Sequence, residues 1–176
     1  HYVVLQIFNL IRNVGAPRED LTIVHKSKAE DYQSILQQIF ALVDTKYKQV
    51  SNHANIVAAL KEQFNWWWVG FYYAEGNELY LGPFQGPVAC ITIAKVEVYA
   101  GFMVSNQTIV VEDVEKFPGH IACSSKSRSE IVVPIVKDGQ VLGVLDVDSE
   151  HLAHFDETDK KYLEELIEQL VTRGIF

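Results

Sequence analysis

Cysteine is scarce in this chain of 176 residues: there are two, Cys90 and Cys123. One disulfide would be a thin framework for a secreted domain of this size, and no stretch has the build of a signal peptide. No apolar run reaches the roughly 20 residues that a membrane span needs. The expectation is a cytoplasmic protein in a reducing compartment, without membrane association. Positive charge is also short: 15 basic against 23 acidic side chains leave a net charge of −8. Such a surface repels phosphate backbones and anionic lipid, so nucleic acid is excluded as a partner while a small cationic or zwitterionic ligand is not. Internal repeats and interdomain linkers are both missing.

What is present is ordinary globular material. Hydrophobic residues make up 48% and charged residues 22%, enough for one buried core and too apolar for a disordered chain. The opening run HYVVLQIFNLIRN is apolar at about helical spacing, and residues 1–24 are read as an N-terminal extension without an assigned role. From Lys28 to Tyr47, Ile35, Ile39, Leu42 and Val43 fall three and four apart, which predicts a helix with one buried face. A second helix is predicted over 54–64, carrying Ile56, Val57, Leu60 and Phe64. Trp66 to Tyr73 is dense in aromatic and β-branched residues and reads as a strand. Glu78 to Gly82 follows as its hairpin partner, and Gly82 to Pro87 as a rigid loop leading to Cys90. After a short strand at 108–111 comes a long polar connection over 112–129. Strands at 130–136 and 141–148 flank Asp138-Gly139, a pair suited to a tight turn. A final helix starts at the N-cap Asp156, with Tyr162, Leu163, Leu166, Ile167 and Leu170 as its apolar stripe. Hairpins mean antiparallel pairing, so the fold class is α+β, with helices covering an antiparallel sheet.

The residues that could carry chemistry are few. Cys90 and Cys123 both sit in unusual loops, 33 residues apart, far beyond the spacing of a CxxC redox or zinc motif. If the fold brings them together, one thiolate can attack an electrophile and the other can close a disulfide; if not, they are small buried hydrophobes. His120 is near Cys123 in sequence, but two cysteines and one histidine do not make a zinc site. Asp146 and Asp148 alternate on a strand and therefore face one side, where Glu130 of the preceding strand can join them. They are either a solvated sheet face or an anionic pocket for an amine, with one carboxyl protonated as an acid. Trp68 and Tyr72, four apart on a strand, also share a face and are either core or a pocket wall.

The strings WVGFY (68–72), LGPFQGPVAC (81–90), FPGHIAC (117–123), SEIVVPI (129–135) and GVLDVDS (143–149) together resemble the free methionine-(R)-sulfoxide reductases of the GAF-domain type. The likeness runs over about residues 29 to 172, and places one GAF domain over 25–176. It implies a six-stranded antiparallel sheet flanked by helices, with the substrate enclosed over one face. It implies reduction of free methionine (R)-sulfoxide: a thiolate attacks the sulfoxide sulfur, a sulfenic acid forms, and a disulfide closes that a thioredoxin-type reductant reopens. No bound cofactor and no metal are implied, and a homodimer is left open. Carried over by motif, Cys123 attacks and Cys90 resolves. Glu130, Asp146 and Asp148 would hold the polar groups of the substrate, and Trp68 and Tyr72 would wall its methyl-sulfur end. The chain departs from the pattern at Val96-Glu97-Val98-Tyr99-Ala100-Gly101, where the family has a glycine-rich segment and Ala100 takes the place of a third cysteine. That departure sustains an alternative, a non-catalytic GAF module that binds a small ligand, including a reductase relative without turnover.

Overall fold

The computed structural model describes residues 20–94, 106–117 and 126–176. Helix α1 covers Lys28–Leu42 and α2 covers Gln49–Phe64; strands β1 (Trp68–Glu75), β2 (Glu78–Gln85), β3 (Thr92–Ala94), β4 (Ile109–Val111), β5 (Ser129–Lys137) and β6 (Gln140–Ser149) follow, and α3 (Glu157–Thr172) closes the chain. The six strands form one antiparallel sheet in the order β3-β2-β1-β6-β5-β4. This is the expected α+β sheet with helices packed on it.

The differences from the sequence reading have local causes. Helix α1 stops at Leu42, five residues before the expected end, and its C-cap Val43 is extended. The chain turns at Asp44, whose carbonyl accepts from Asn52 Nδ2 at 2.9 Å and whose Oδ1 accepts from the Lys46 amide at 3.0 Å. Asp44 is a poor helix former that here completes a turn instead. Helix α2 begins earlier than predicted and buries Asn52 and His53 in its first turns. Strand β2 runs through Pro83 to Gln85, where a rigid loop is expected from the composition. A register irregularity between Gly70 and Tyr72 of β1 faces this stretch, and proline is tolerated in a strand at such a bulge. Among its described residues, the connection over 112–129 contains one 3₁₀ turn, Val114–Lys116. Strand β3, only three residues long, has no periodicity to reveal it.

Two apolar clusters lie on opposite sides of the sheet. Val69, Phe71, Ile131, Val133, Ile135, Leu145 and Val147 point at the helices and pack with Tyr32, Ile35, Leu60, Leu163 and Leu166. Leu21 and Ile23 also pack against this core. Trp68, Tyr72, Val132 and Val144, one residue out of phase, form a smaller cluster on the other side with Leu79 and Ile93. The period of two that separates inward from outward residues in a strand thus sorts two cores.

Helices α1 and α3 are joined through capping groups. Ser27 and Glu30 form a capping box on α1, and Asp156 and Asp159 form another on α3. Lys28 Nζ bridges Asp156 at 2.9 Å and Asp159 at 2.6 Å, while the Tyr32 hydroxyl donates to Asp159 Oδ1 at 2.7 Å. His53 of α2 fastens the C-terminus. It is fully buried, its Nε2 lies 3.3 Å from the Ile175 carbonyl, and its Nδ1 is 2.5 Å from the Tyr73 hydroxyl. A carbonyl can only accept, so Nε2 carries the proton and Nδ1 accepts from tyrosine.

Burial lowers the His53 pKa to about 4 from 6.5. The neutral ring is the folded form, and the unfolded chain binds the extra proton. Stability contributed by His53 is therefore intact above pH 6.5 and is lost as pH falls toward 4, by at most roughly 3 kcal/mol. His53→Phe should remove that slope from pH-dependent urea unfolding. It should also cost about 2 kcal/mol at pH 7, because the Tyr73 hydroxyl and Ile175 carbonyl lose a buried partner. An unchanged slope would show that another group sets the acid limb.

Candidate functional site

The sheet face away from the helices collects the chemistry-bearing side chains. Antiparallel register sets Trp68 opposite Asp148, Gly70 opposite Asp146 and Tyr72 opposite Val144. On the other flank of β6, Glu130 lies opposite Asp148 and Val132 opposite Asp146. Three carboxyl groups from β5 and β6 thus stand beside two aromatic rings from β1. Five residues singled out in the sequence, Trp68, Tyr72, Glu130, Asp146 and Asp148, meet on one surface. Cys123 and His120 lie outside the described residues, as does the 96–101 segment.

The aromatic side is built around a glycine. Trp68 stacks on Tyr72 with ring centroids 5.9 Å apart and on Phe84 of β2 at 5.4 Å. A Cβ on Gly70 would overlap the Trp68 ring and come within 2.6 Å of Phe84 Cβ, so only glycine lets the indole lie across the strand here. Trp68 and Tyr72 are 5% and 2% exposed, and each also uses its polar end. Trp68 Nε1 donates to the Pro87 carbonyl at 3.2 Å, and the Tyr72 hydroxyl donates to the Cys90 carbonyl at 3.0 Å. These two bonds tie the 86–90 segment to the sheet face. Gly86 starts it with φ +133°, a conformation that side chains rarely adopt. Cys90, half-buried, is in a disulfide.

The carboxyl side is acidic and dry. Glu130 and Asp146 are each 6% exposed, so a freely solvated sheet face is the wrong description of them. Burial, reinforced by the neighbouring Glu130 and Asp148, pushes the Asp146 carboxyl well above the usual range. Its Oδ1 has no hydrogen-bond partner among the described residues. Asp148 is raised to about 6 by burial, against a lowering bond from the Ser127 hydroxyl. Burial and the three negative groups together raise the Tyr72 phenol, which stays neutral. An environment that favours the protonated form of one carboxyl more strongly than that of its neighbour can both donate a proton and hold a cation. Among the described residues, no three His, Cys, Asp or Glu side chains are placed to hold a metal ion. No helix among them is long and apolar enough to cross a membrane.

Sequence reasoning passed over Gly70, Phe84 and Ser127. Phe84 and Ser127 fall in stretches read as loop, and Gly70 carries no side chain to notice. For Gly70 and Phe84 the signal was positional, since pairing β1 with β2 sets them opposite each other; Ser127 lies before β5, outside the sheet register.

The chain matches the family model described as GAF domain over residues 54–173. GAF domain-containing protein A of Dictyostelium discoideum is 53% identical over 154 residues, covering 86% of this chain and 98% of that protein. Free methionine-R-sulfoxide reductase of Escherichia coli is 40% identical over 146 residues, covering 82% of this chain and 88% of that protein. Among solved structures, free methionine-R-sulfoxide reductase from Neisseria meningitidis in complex with its substrate superposes with a TM-score of 0.83 at 50% identity, over 88% of this chain and 94% of that one.

Proposed function

The chain belongs to the GAF-domain family of free methionine-R-sulfoxide reductases, and from that premise we propose that it reduces free methionine (R)-sulfoxide through Cys123 and Cys90. The observation that carries the reading is the position of Cys90. This disulfide-bonded residue has its carbonyl held by the Tyr72 hydroxyl, at the edge of the face that bears Trp68, Glu130, Asp146 and Asp148. The chain's other cysteine, Cys123, is the proposed partner.

In the reaction, the Cys123 thiolate attacks the sulfoxide sulfur while a protonated carboxyl gives its proton to the departing oxygen. Asp146 is suited to that role because burial beside two other carboxyls favours its protonated form. The S–O bond breaks, methionine leaves with two more electrons, and the oxygen stays on Cys123 as a sulfenic acid. The Cys90 thiol displaces it as water, closing the disulfide. A thioredoxin-type dithiol reduces that bond and completes the cycle, so no bound cofactor is needed. Asp148 and Glu130 take the substrate ammonium, and the faces of Trp68 and Tyr72 pack against the methyl-sulfur end, where a polarised sulfur gains from aromatic contact.

The assay is NADPH oxidation coupled through thioredoxin and its reductase, with free methionine sulfoxide of each configuration. Turnover of the R form alone is expected. The replacement of the family's third cysteine by Ala100 favours one other reading, binding without turnover. Calorimetric binding of methionine sulfoxide with no NADPH oxidation would establish that reading and remove the enzymatic one.

A further inference from the structure

Three carboxyl groups in one dry site raise the question of which carries charge. We propose that Ser127 is a positioning residue that holds Asp148 as the anion of the site and leaves the proton with Asp146. The inference rests on the function proposed above and assigns its two polar tasks to separate carboxyls.

The geometry is asymmetric. Ser127, 6% exposed, donates its hydroxyl to Asp148 Oδ1. A carboxylate accepts at both oxygens, whereas a protonated carboxyl must also donate, so a hydroxyl aimed at the group favours the ionised form. Asp146 receives no hydroxyl among the described residues; the Val147 amide is a donor to it, with the smallest of the effects on that carboxyl. Its Oδ1 is buried without a hydrogen bond among the described residues, and its neighbours are the acidic Glu130 and Asp148. Burial and both carboxyls favour the neutral acid there, against a smaller lowering bond from the Val147 amide.

The serine is held in place by its own chain. The Arg128 amide donates to the Ser149 carbonyl at 2.7 Å, and the Arg128 carbonyl accepts from the Val114 amide at 3.0 Å. Next along, Ser129 Oγ donates to the His151 carbonyl at 2.6 Å. Before it, the Lys126 ammonium lies over the Trp67 ring, 4.9 Å from its centroid. Ser127 thus enters the site from a segment fastened at consecutive residues.

Among the described residues, the titratable groups facing Asp148 are Glu130 across the β5–β6 pairing, Asp146 two residues along β6, and the Tyr72 phenol on β1. All three are acids, so none offers a positive charge to stabilise the Asp148 anion. The serine hydroxyl works in that direction, against the effect of burial. A free amino-acid sulfoxide presents an ammonium that needs an anion and an oxygen that needs a proton. With Ser127 in place, the two are met by different side chains.

The test follows the carboxyl carbons of aspartate by ¹³C NMR across pH 4–9, using the full chain in its disulfide form so that no thiol titrates. Asp148→Asn identifies the Asp148 resonance. Ser127→Ala should move the Asp148 midpoint up by about one pH unit, the loss of one hydrogen bond to a charged group. Ser127→Thr, which keeps the hydroxyl, should bring it back. In the coupled assay Ser127→Ala should raise KM several-fold at pH 6.5, with kcat within about twofold, and the difference should close by pH 8.5. An Asp148 midpoint that does not move in Ser127→Ala overturns the proposal. So does a shift that Ser127→Thr leaves uncorrected while the variant folds. The titration needs no turnover, so a wild type that titrates as expected yet reduces nothing refutes the proposed function and leaves the role of Ser127 standing.

Discussion

Cys123→Ser should lower turnover of free methionine (R)-sulfoxide by a factor of about 10³ or more, with substrate binding by calorimetry unchanged within a few-fold. A serine hydroxyl at neutral pH is not ionised and attacks sulfur poorly, whereas the carboxyl and aromatic face proposed to bind the ligand is untouched. Cys90→Ser should behave differently. Its Cys123 can still attack once, so a rapid-quench experiment should release about one methionine per chain and then stall. The stalled sulfenic acid should be trapped by dimedone. A burst in Cys123→Ser and none in Cys90→Ser would exchange the two roles. Loss of binding in either variant would instead place the cysteine in the ligand site itself.

Asp148→Asn should weaken substrate binding about 10- to 100-fold and at the same time make the protein more stable at pH 7. The sign follows from the raised pKa. Asp148 titrates at about 6 in the fold against an ordinary 3.8, so the folded form holds its proton more tightly. That favours the fold at low pH and is lost as pH rises through 6. At pH 7 the ionised, buried carboxylate therefore costs stability, by an upper bound of roughly 3 kcal/mol. Asparagine is neutral and keeps one acceptor for Ser127. A gain of roughly 1–2 kcal/mol at pH 7 is expected, or a few degrees in Tm for a chain of this size, fading to nothing near pH 4. A variant less stable than wild type at pH 7 would show that the Asp148 charge is compensated by groups not yet identified. His53 has the opposite slope over much of the same interval, but Asp146, also raised, has the same slope as Asp148, so wild-type stability should fall as pH rises from 4 to 6. Asp148→Asn should make that fall shallower.

Much of this site could be read from residue spacing, because spacing decides which side of a strand a residue takes. Trp68 and Tyr72, and likewise Asp146 and Asp148, share a face by the period of two alone, and the register brings Glu130 to them. The hairpin at Asp138-Gly139 was equally plain, both residues adopting the positive φ values of 51° and 77° that the pair favours. What spacing does not encode is depth. The same alternation of Asp and Val describes a wet edge or a buried pocket, and the choice depends on what folds over it. The end of α1 at Leu42 was hidden for a similar reason, since Asn52, ten residues on, supplies the bond that completes the turn. Strand β2 was cut short in the reading because Gly82-Pro83 is the strongest local signal for a loop, and only the irregular pairing with β1 makes it acceptable in a strand. Ser127 had no signal at all, as one serine among several in a polar stretch.

The two apolar clusters on either side of the sheet have a consequence for how this protein can change over time. The large core between sheet and helices holds most of the buried aliphatic side chains, while the opposite face, the proposed ligand face, rests on a few aromatic and β-branched residues. Residues of one strand alternate between the two, so neighbouring codons answer to different pressures: one to folding, the next to chemistry. A lineage can lose a carboxylate or swap an aromatic on the open side and still inherit a sound scaffold. Substitutions at odd positions such as Val69, Phe71, Leu145 and Val147 should be rare among descendants, and those at the even positions beside them should follow the ligand.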